Sequence, residues 1–265
     1  MFFIILFFIF VLGAAVGSFL NVVIYRLHSK EGMVFSSSKC PHCKRRLGVA
    51  DLVPLFSFLF LSGKCRYCQK EISWQYPVVE FVTGLLFVII FYFKGGIELF
   101  LSFDLILFLN ILFLLIVSSF LILIFVYDLK HYLILDRVLL PAYLVTLLAL
   151  LLTDTSQIVF HLLGSFIFGF SLFLIYYISK GEWIGGGDVK LAFLLGLMIG
   201  FPEIMVTFFL AFVGGGLVAC VLMLLGKKKL HDKLPLGTFL CLAAFLSFFI
   251  GTGMIEWYLG LLGLE

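Results

Sequence analysis

Asp188 follows three glycines, Gly185-Gly186-Gly187, at the start of an apolar run, and Asp128 closes an earlier one. An ionisable side chain beside hydrocarbon is costly to hold, so each is first a candidate functional residue. Two carboxylates sharing one site divide the work of proton transfer, because like charges in contact do not both ionise. That leaves one base and one acid, as in the paired acids of an aspartic protease. Taken singly, either aspartate also reads as the polar residue that ends a membrane helix.

A second chemistry-bearing group lies upstream: Cys40-Pro41-His42-Cys43 and Cys65-Arg66-Tyr67-Cys68. Two C-x-x-C turns bring four thiolates into the tetrahedral arrangement that zinc prefers, and roughly 50 residues of polar loop are too few to fold on an apolar core alone. The expectation is a structural zinc held by Cys40, Cys43, Cys65 and Cys68. His42 reads as an exposed knuckle residue, and Cys220 and Cys241, inside apolar runs, as small hydrophobes. Between the pairs, Val53 to Phe60 is apolar enough to enter a membrane interface or to form the loop's own core.

The elements that must position these groups are membrane helices. The 265 residues are 63% hydrophobic, with 34 Phe, and the mean hydropathy is +1.24. The fold class is an all-α polytopic membrane protein with about eight transmembrane helices and a small zinc-binding loop domain between the first two. Apolar runs span 2–25, 78–93, 105–127, 133–152, 158–178, 189–201, 204–225 and 236–262. This divides the chain into a first transmembrane helix (1–25), a cytoplasmic loop domain (26–77) and a transmembrane core (78–265). The 189–201 run is short for a crossing that takes roughly 20 residues.

If all eight cross, one side receives every Lys and Arg except Lys94, and by the positive-inside rule that side is cytoplasmic. Asp128 and Asp188 then share the cytoplasmic face, and both termini lie outside. The opening run has no basic residue before it, so it reads as a retained span rather than a cleaved signal. A net charge of +3 reflects loop asymmetry and gives no reason to expect nucleic acid.

Together these pieces resemble the type IV prepilin peptidases, which process type IV pilins and type II secretion pseudopilins. The residues carrying the likeness are Gly17-Ser18-Phe19-Leu20-Asn21-Val22-Val23 with Arg26, the Cys pairs, Val53-Pro54-Leu55, Gly63-Lys64-Cys65-Arg66, and Tyr76-Pro77 with Glu80. Further along are Asp128-Leu129-Lys130-His131 with Asp136, Gly185-Gly186-Gly187-Asp188-Val189-Lys190, and Pro235-Leu236-Gly237. The chain departs from the family pattern at Leu135, where a proline is common, and at Leu236 and Thr238 of the family's Pro-Phe-Gly-Pro stretch.

The resemblance implies that Asp128 and Asp188 are the catalytic pair of a bacterial cytoplasmic-membrane protease. Its partner would be a bilayer-inserted prepilin or pseudopilin, cut behind a short basic leader at the cytoplasmic face. It also implies N-methylation of the new amino terminus with S-adenosylmethionine, to which no G-x-G-x-x-G motif in this chain corresponds. Gly185, Gly186 and Gly187 would leave the backbone open to substrate and free in its dihedrals, unless they are simply a flexible loop. His131 and Asp136 are candidate supports, as is Lys190, which also satisfies positive-inside as a membrane-edge cation like Lys130. Glu80 would face the basic leader or lie as an interfacial residue. Two other classes compete: a transporter using the aspartates as ion sites, and a zinc-stabilised scaffold.

Overall fold

The computed structural model describes residues 2–29, 38–102, 104–153, 155–227, 229 and 234–263. Lys30, Lys228 and Lys233, which count in the charge argument, lie outside the described residues. Within them the chain is helical, with two isolated bridges as its only β pairing. Seven helices are long and apolar enough to cross a bilayer: α1 (Phe2–Ser29), α3 (Gln75–Phe93), α5 (Leu105–His131), α6 (Asp136–Thr153), α7 (Ile158–Ile178), α9 (Ile204–Leu224) and α10 (Leu236–Leu261). Among the described residues there are also three shorter α-helices, α2 (Phe56–Phe60), α4 (Gly96–Ser102) and α8 (Gly186–Ile199), and two single 3-10 turns at Val49–Asp51 and Thr155–Gln157.

The chain divides into two compact units, Met1–Leu123 and Ile124–Glu265, with the division inside α5. In the first, α1 and α3 pack at backbone distance because small residues face each other. A Cβ on Gly13 would lie 2.8 Å from Gly84 Cα, and one on Gly17 2.8 Å from Glu80 Cα. With apolar lipid around them, helices gain little from burying apolar side chains, so close van der Waals approach over Gly-x-x-x-Gly carries the pairing. Asn21, buried at this seam, donates to the Tyr76 carbonyl at 3.1 Å and accepts from Gln75 Nε2 at 3.1 Å.

In the second unit α8 is the centre, packed by α6, α7, α9 and α10. Its 14 residues rise only about 21 Å, short of a hydrocarbon core of about 30 Å. Leu191, Ala192, Leu194 and Leu195 are fully buried, so protein rather than lipid meets this helix. Two glycines make the α7–α8 contact: a Cβ on Gly164 would lie 2.8 Å from the Gly200 carbonyl carbon, and one on Gly196 would overlap the Gly164 backbone. Ser165 Oγ donates to the Phe193 carbonyl at 2.8 Å, and His161 Nδ1 lies 2.7 Å from the Leu197 carbonyl. Gly200, at φ 83°, ends α8 in backbone space that favours glycine.

One expected boundary moves. The apolar run 133–152 reads as a single span, yet α6 begins only at Asp136, leaving Leu133-Ile134-Leu135 in the connection from α5. Hydropathy does not separate a loop that packs on protein from a helix that faces lipid. α4, between Lys94 and Asp104, has no counterpart among the expected elements.

The α7–α8 seam generates a stability test. Gly196→Leu should lower the detergent-solubilised protein's stability by about 1–3 kcal/mol, the usual cost of overpacking. Gly214→Ala, on α9 where nothing lies within 4 Å, should leave it unchanged or slightly raised. Equal melting temperatures for both variants would remove the seam from the account of what holds this unit together.

Candidate functional site

Asp128 lies in the last turn of α5 and is buried; Asp188 lies in the first turn of α8 and is half-buried. The two carboxylates are near enough to feel each other's charge. A third element meets them, the start of α10. The Thr238 backbone N–H donates to Asp128 Oδ2 at 3.0 Å, and the Gly237 N–H faces both carboxylates. At a helix start the first N–H groups have no partner within the helix and carry the positive end of its dipole, so they are suited to receive a carboxylate. Asp188 makes the matching arrangement on its own helix, accepting from the Gly185 N–H at 3.1 Å.

Gly185 and Gly187 provide room here, not unusual dihedrals. None of Gly185, Gly186 and Gly187 has a positive φ, which corrects the expectation that the triplet needs backbone freedom. A Cβ on Gly237 would stand 2.8 Å from Asp128 Oδ2 and 2.9 Å from Ile134 Cδ1; one on Gly187 would stand 3.0 Å from Ile134 Cβ, and one on Gly185 3.1 Å from Asp188 Oδ2. Gly186 meets only ordinary contacts with the Tyr176 ring. Gly185 and Gly186 are exposed, so the backbone beside Asp188 is open to approach. Ile134 fits against Gly187 and Gly237, which is why the start of the 133–152 run stays out of the helix.

The other expected residues take distinct places. Lys190 Nζ binds both oxygens of Asp136, at 2.8 and 2.9 Å, and the Tyr143 hydroxyl donates to the Lys190 carbonyl at 2.8 Å. These bonds tie α8 to the start of α6, and so fix the connection that carries Ile134. The His131 ring packs on Tyr127 one turn back, with centroids 4.6 Å apart. Glu80, in the first unit, is buried; its Oε2 accepts from the Leu55 N–H at 2.8 Å, and it also faces the Ser18 hydroxyl. The Pro235–Thr238 stretch is expected from the sequence only as part of the family likeness, whereas here the Thr238 main chain meets an aspartate; Pro235 ahead of an apolar run is a readable helix-start signal.

The four cysteines of the first unit converge: their Sγ atoms all lie within 4.8 Å of one another, with Cys40 and Cys68 3.9 Å apart. Four thiolates at about 2.3 Å from a tetrahedral metal would be about 3.8 Å apart, so the group fits such an ion. Both knuckles are built alike. The Cys40 carbonyl accepts from the Lys44 N–H and the Cys65 carbonyl from the Gln69 N–H, each at 2.9 Å, and Lys44 and Gln69 both turn the chain at positive φ. Arg66 Nε binds Asp51 Oδ1 at 2.9 Å, and the Arg45 guanidinium lies 4.4 Å above the Tyr67 ring. The Lys70 N–H draws the Cys68 thiol downward, but partial desolvation and the neighbouring thiols outweigh it and push it up to about 11. Thiols this close resist ionising together, and a divalent cation is what lets them do so.

Comparison with known proteins places both groups in matched regions. The family model described as Bacterial Peptidase A24 N-terminal domain matches residues 11–93, which hold the four cysteines, and that described as Type IV leader peptidase family matches residues 115–220, which hold both aspartates. Proteins named prepilin leader peptidase/N-methyltransferase are similar over most of their length. That of Bacillus subtilis (strain 168) is 30% identical over 95% of this chain and 96% of its own. That of Pectobacterium carotovorum subsp. carotovorum is 31% identical over 88% of each, and that of Klebsiella pneumoniae 34% identical over 77% of this chain and 89% of its own. No solved structure matches.

The cysteine geometry gives a direct test. Elemental analysis of the purified protein should return about one divalent metal per chain, and none once Cys40 and Cys65 are both serine. Acidification should release the metal, because protons compete for the thiolates. Full metal content in the double variant would exclude this ligand set.

Proposed function

The chain belongs to the type IV leader peptidase family, and on that premise we propose that it is an aspartic endopeptidase of the bacterial cytoplasmic membrane. Its substrates are type IV prepilins or pseudopilins, bilayer-inserted precursors whose short basic leader it removes. The observation that carries this reading is that Asp128 and Asp188 each accept a main-chain N–H at a helix start, Thr238 on α10 and Gly185 ahead of α8. The loops bearing nearly all the basic residues face the cytoplasm by the positive-inside rule, which puts the aspartates on the cytoplasmic face and both termini outside. Zinc is the metal for the four cysteines, since four thiolates in a closed set suit its tetrahedral preference, and its task there is to hold the loop's fold.

Hydrolysis then runs as paired-acid chemistry. The ionised aspartate takes a proton from water as the water oxygen attacks the scissile carbonyl carbon, while the protonated aspartate hydrogen-bonds the carbonyl oxygen. A tetrahedral intermediate forms; it collapses as the carbon–nitrogen bond breaks and a proton passes to the leaving amine. Gly185 and Gly186 leave room for an extended substrate backbone beside Asp188. Gly237 and Thr238 hold the Asp128 carboxylate in place through main-chain N–H groups, which do not swing as side chains do. Asp136 and Lys190 support the site by fixing the connection that carries Ile134. We extend the proposal to N-methylation of the newly exposed amino terminus with S-adenosylmethionine as methyl donor. That step rests on family membership and the relatives' name, and the geometry assigns no residue to it.

Purified protein incubated with a prepilin peptide should release a leader-sized fragment, read by mass spectrometry, and with S-adenosylmethionine the mature peptide should gain a methyl group. Asp128→Asn and Asp188→Asn should each abolish cleavage while the metal content stays unchanged, because an amide does not exchange the required proton. Normal cleavage by either variant would remove that aspartate from the pair.

Gly237→Ala tests the α10 contribution separately. Alanine favours the helix, yet its methyl group would press on the Asp128 carboxylate, and cleavage should fall by about 100-fold, the scale of a small misplacement in an active site. Unchanged kcat with a normal melting temperature would show that the close approach of α10 is not needed.

A further inference from the structure

Between the two cysteine knuckles the chain carries an apolar segment that the knuckles do not cover. α2 contains no buried residue. Phe56, Leu59 and Phe60 are 53%, 71% and 84% exposed, and Leu52 and Val53 just before them are exposed as well. Phe58 alone turns inward, its ring 5.0 Å from that of Trp74 and beneath Gly63, where a Cβ would lie 3.1 Å from Phe58 Cζ. Among the described residues of this segment, Phe58 packs on the loop's own Trp74 and Gly63 while Phe56 and Phe60 face out. A cluster of that kind in water would be a liability.

The structure also fixes the level of this cluster relative to a membrane helix. The residue that precedes α2, Leu55, donates its backbone N–H to Glu80 at 2.8 Å. Glu80 lies five residues past the start of α3 at Gln75, about 7 Å along its axis. α2 is thus fastened beside the second turn of a membrane-spanning helix, not above its end. Trp74, 73% exposed, caps α3 at the same end, where tryptophan is favoured between headgroups and hydrocarbon. From that level α3 continues with exposed Val78 and Phe81. On the same unit, Lys44 Nζ reaches the Tyr25 hydroxyl at 3.3 Å near the end of α1, and Arg46 and Lys64 are exposed.

We propose that α2 inserts Phe56, Leu59 and Phe60 into the headgroup–acyl boundary of the bilayer, so that the cysteine loop is held against the membrane by a third contact besides α1 and α3. The occupant of this surface is lipid: the segment is level with hydrocarbon-spanning helix, its exposed side chains are aromatic and aliphatic, and nearby Lys and Arg suit anionic headgroups. The Leu55–Glu80 bond sets the depth, since it anchors the backbone at the start of α2 to a fixed point on α3.

The test uses the full-length protein in nanodiscs of phosphatidylethanolamine and phosphatidylglycerol. With Trp74, Trp183 and Trp257 changed to Phe, a single tryptophan is introduced by Phe60→Trp or, separately, Leu59→Trp. Each should lose emission when the acyl chains carry bromine near the headgroup, and should resist aqueous iodide. Quenching by iodide alone would place α2 in water, and quenching by neither would place it under protein, either another part of this chain or a polypeptide partner; both results overturn the proposal. Should those substitutions disturb folding, the unsubstituted protein in nanodiscs containing a diazirine acyl-chain lipid decides it. Photolysis should put lipid adducts on the peptide covering residues 53–60, and adducts confined to the long helices would equally overturn it.

Discussion

A carboxylate held where water is scarce must be met by hydrogen-bond donors, and the second unit of this protein supplies them from the free ends of helices. Helix starts are the one place in a helical membrane protein where main-chain N–H groups are unspent. Asp188 lies in the first turn of α8, which begins at Gly186, and the first turn of α10, which begins at Leu236, supplies the Thr238 N–H that reaches Asp128. Several other features follow from this requirement. Gly237 leaves room for the carboxylate, because a Cβ there would stand 2.8 Å from Asp128 Oδ2 and one of the two would have to shift. Gly187 and Gly237 then leave a space that Ile134 fills, two residues before the point where Asp136, at the start of α6, pairs with Lys190 of α8.

The shortness of α8 is met by packing. A helix of 14 residues is too short to span the hydrocarbon from one headgroup region to the other by itself. Such a helix would be poorly matched to lipid. Here its sides are covered by α6, α7, α9 and α10, and close contact through Gly164 and Gly196 substitutes backbone for lipid.

Much of this was legible in the sequence, but unevenly. Hydropathy gave the long helices to within a few residues, since the apolar runs 158–178 and 204–225 nearly coincide with α7 and α9. The four cysteines were legible because C-x-x-C spacing is itself a local geometry, and the two knuckles repeat one hydrogen-bonding pattern. Ile134 was not, because hydropathy records what a residue prefers to leave, not what it will pack against. Nor was the reason for the glycine triplet: its sequence suggests conformational freedom, whereas the constraint is the space that Ile134 and the Asp188 carboxylate occupy. Thr238 was hidden for a further reason. Its contribution to the site is a main-chain N–H, a group that its side-chain identity does not reveal.

The position of the aspartates within their helices also weighs for the proposed protease over a transporter that binds a metal cation there. A cation site in a secondary transporter lies near the bilayer midplane, where helices are interrupted and their unwound carbonyls face the ion. Asp128 is in the final turn of α5 and Asp188 in the first turn of α8, while α8 itself runs unbroken from Gly186 to Ile199. The groups aimed at the carboxylates are N–H donors from Gly185, Gly237 and Thr238. Donors stabilise negative charge and add nothing to the binding of a metal cation, which needs oxygen ligands. Two acids at the ends of helices, met by N–H donors, suit the proton transfer of the proposed protease better than the coordination of a metal cation.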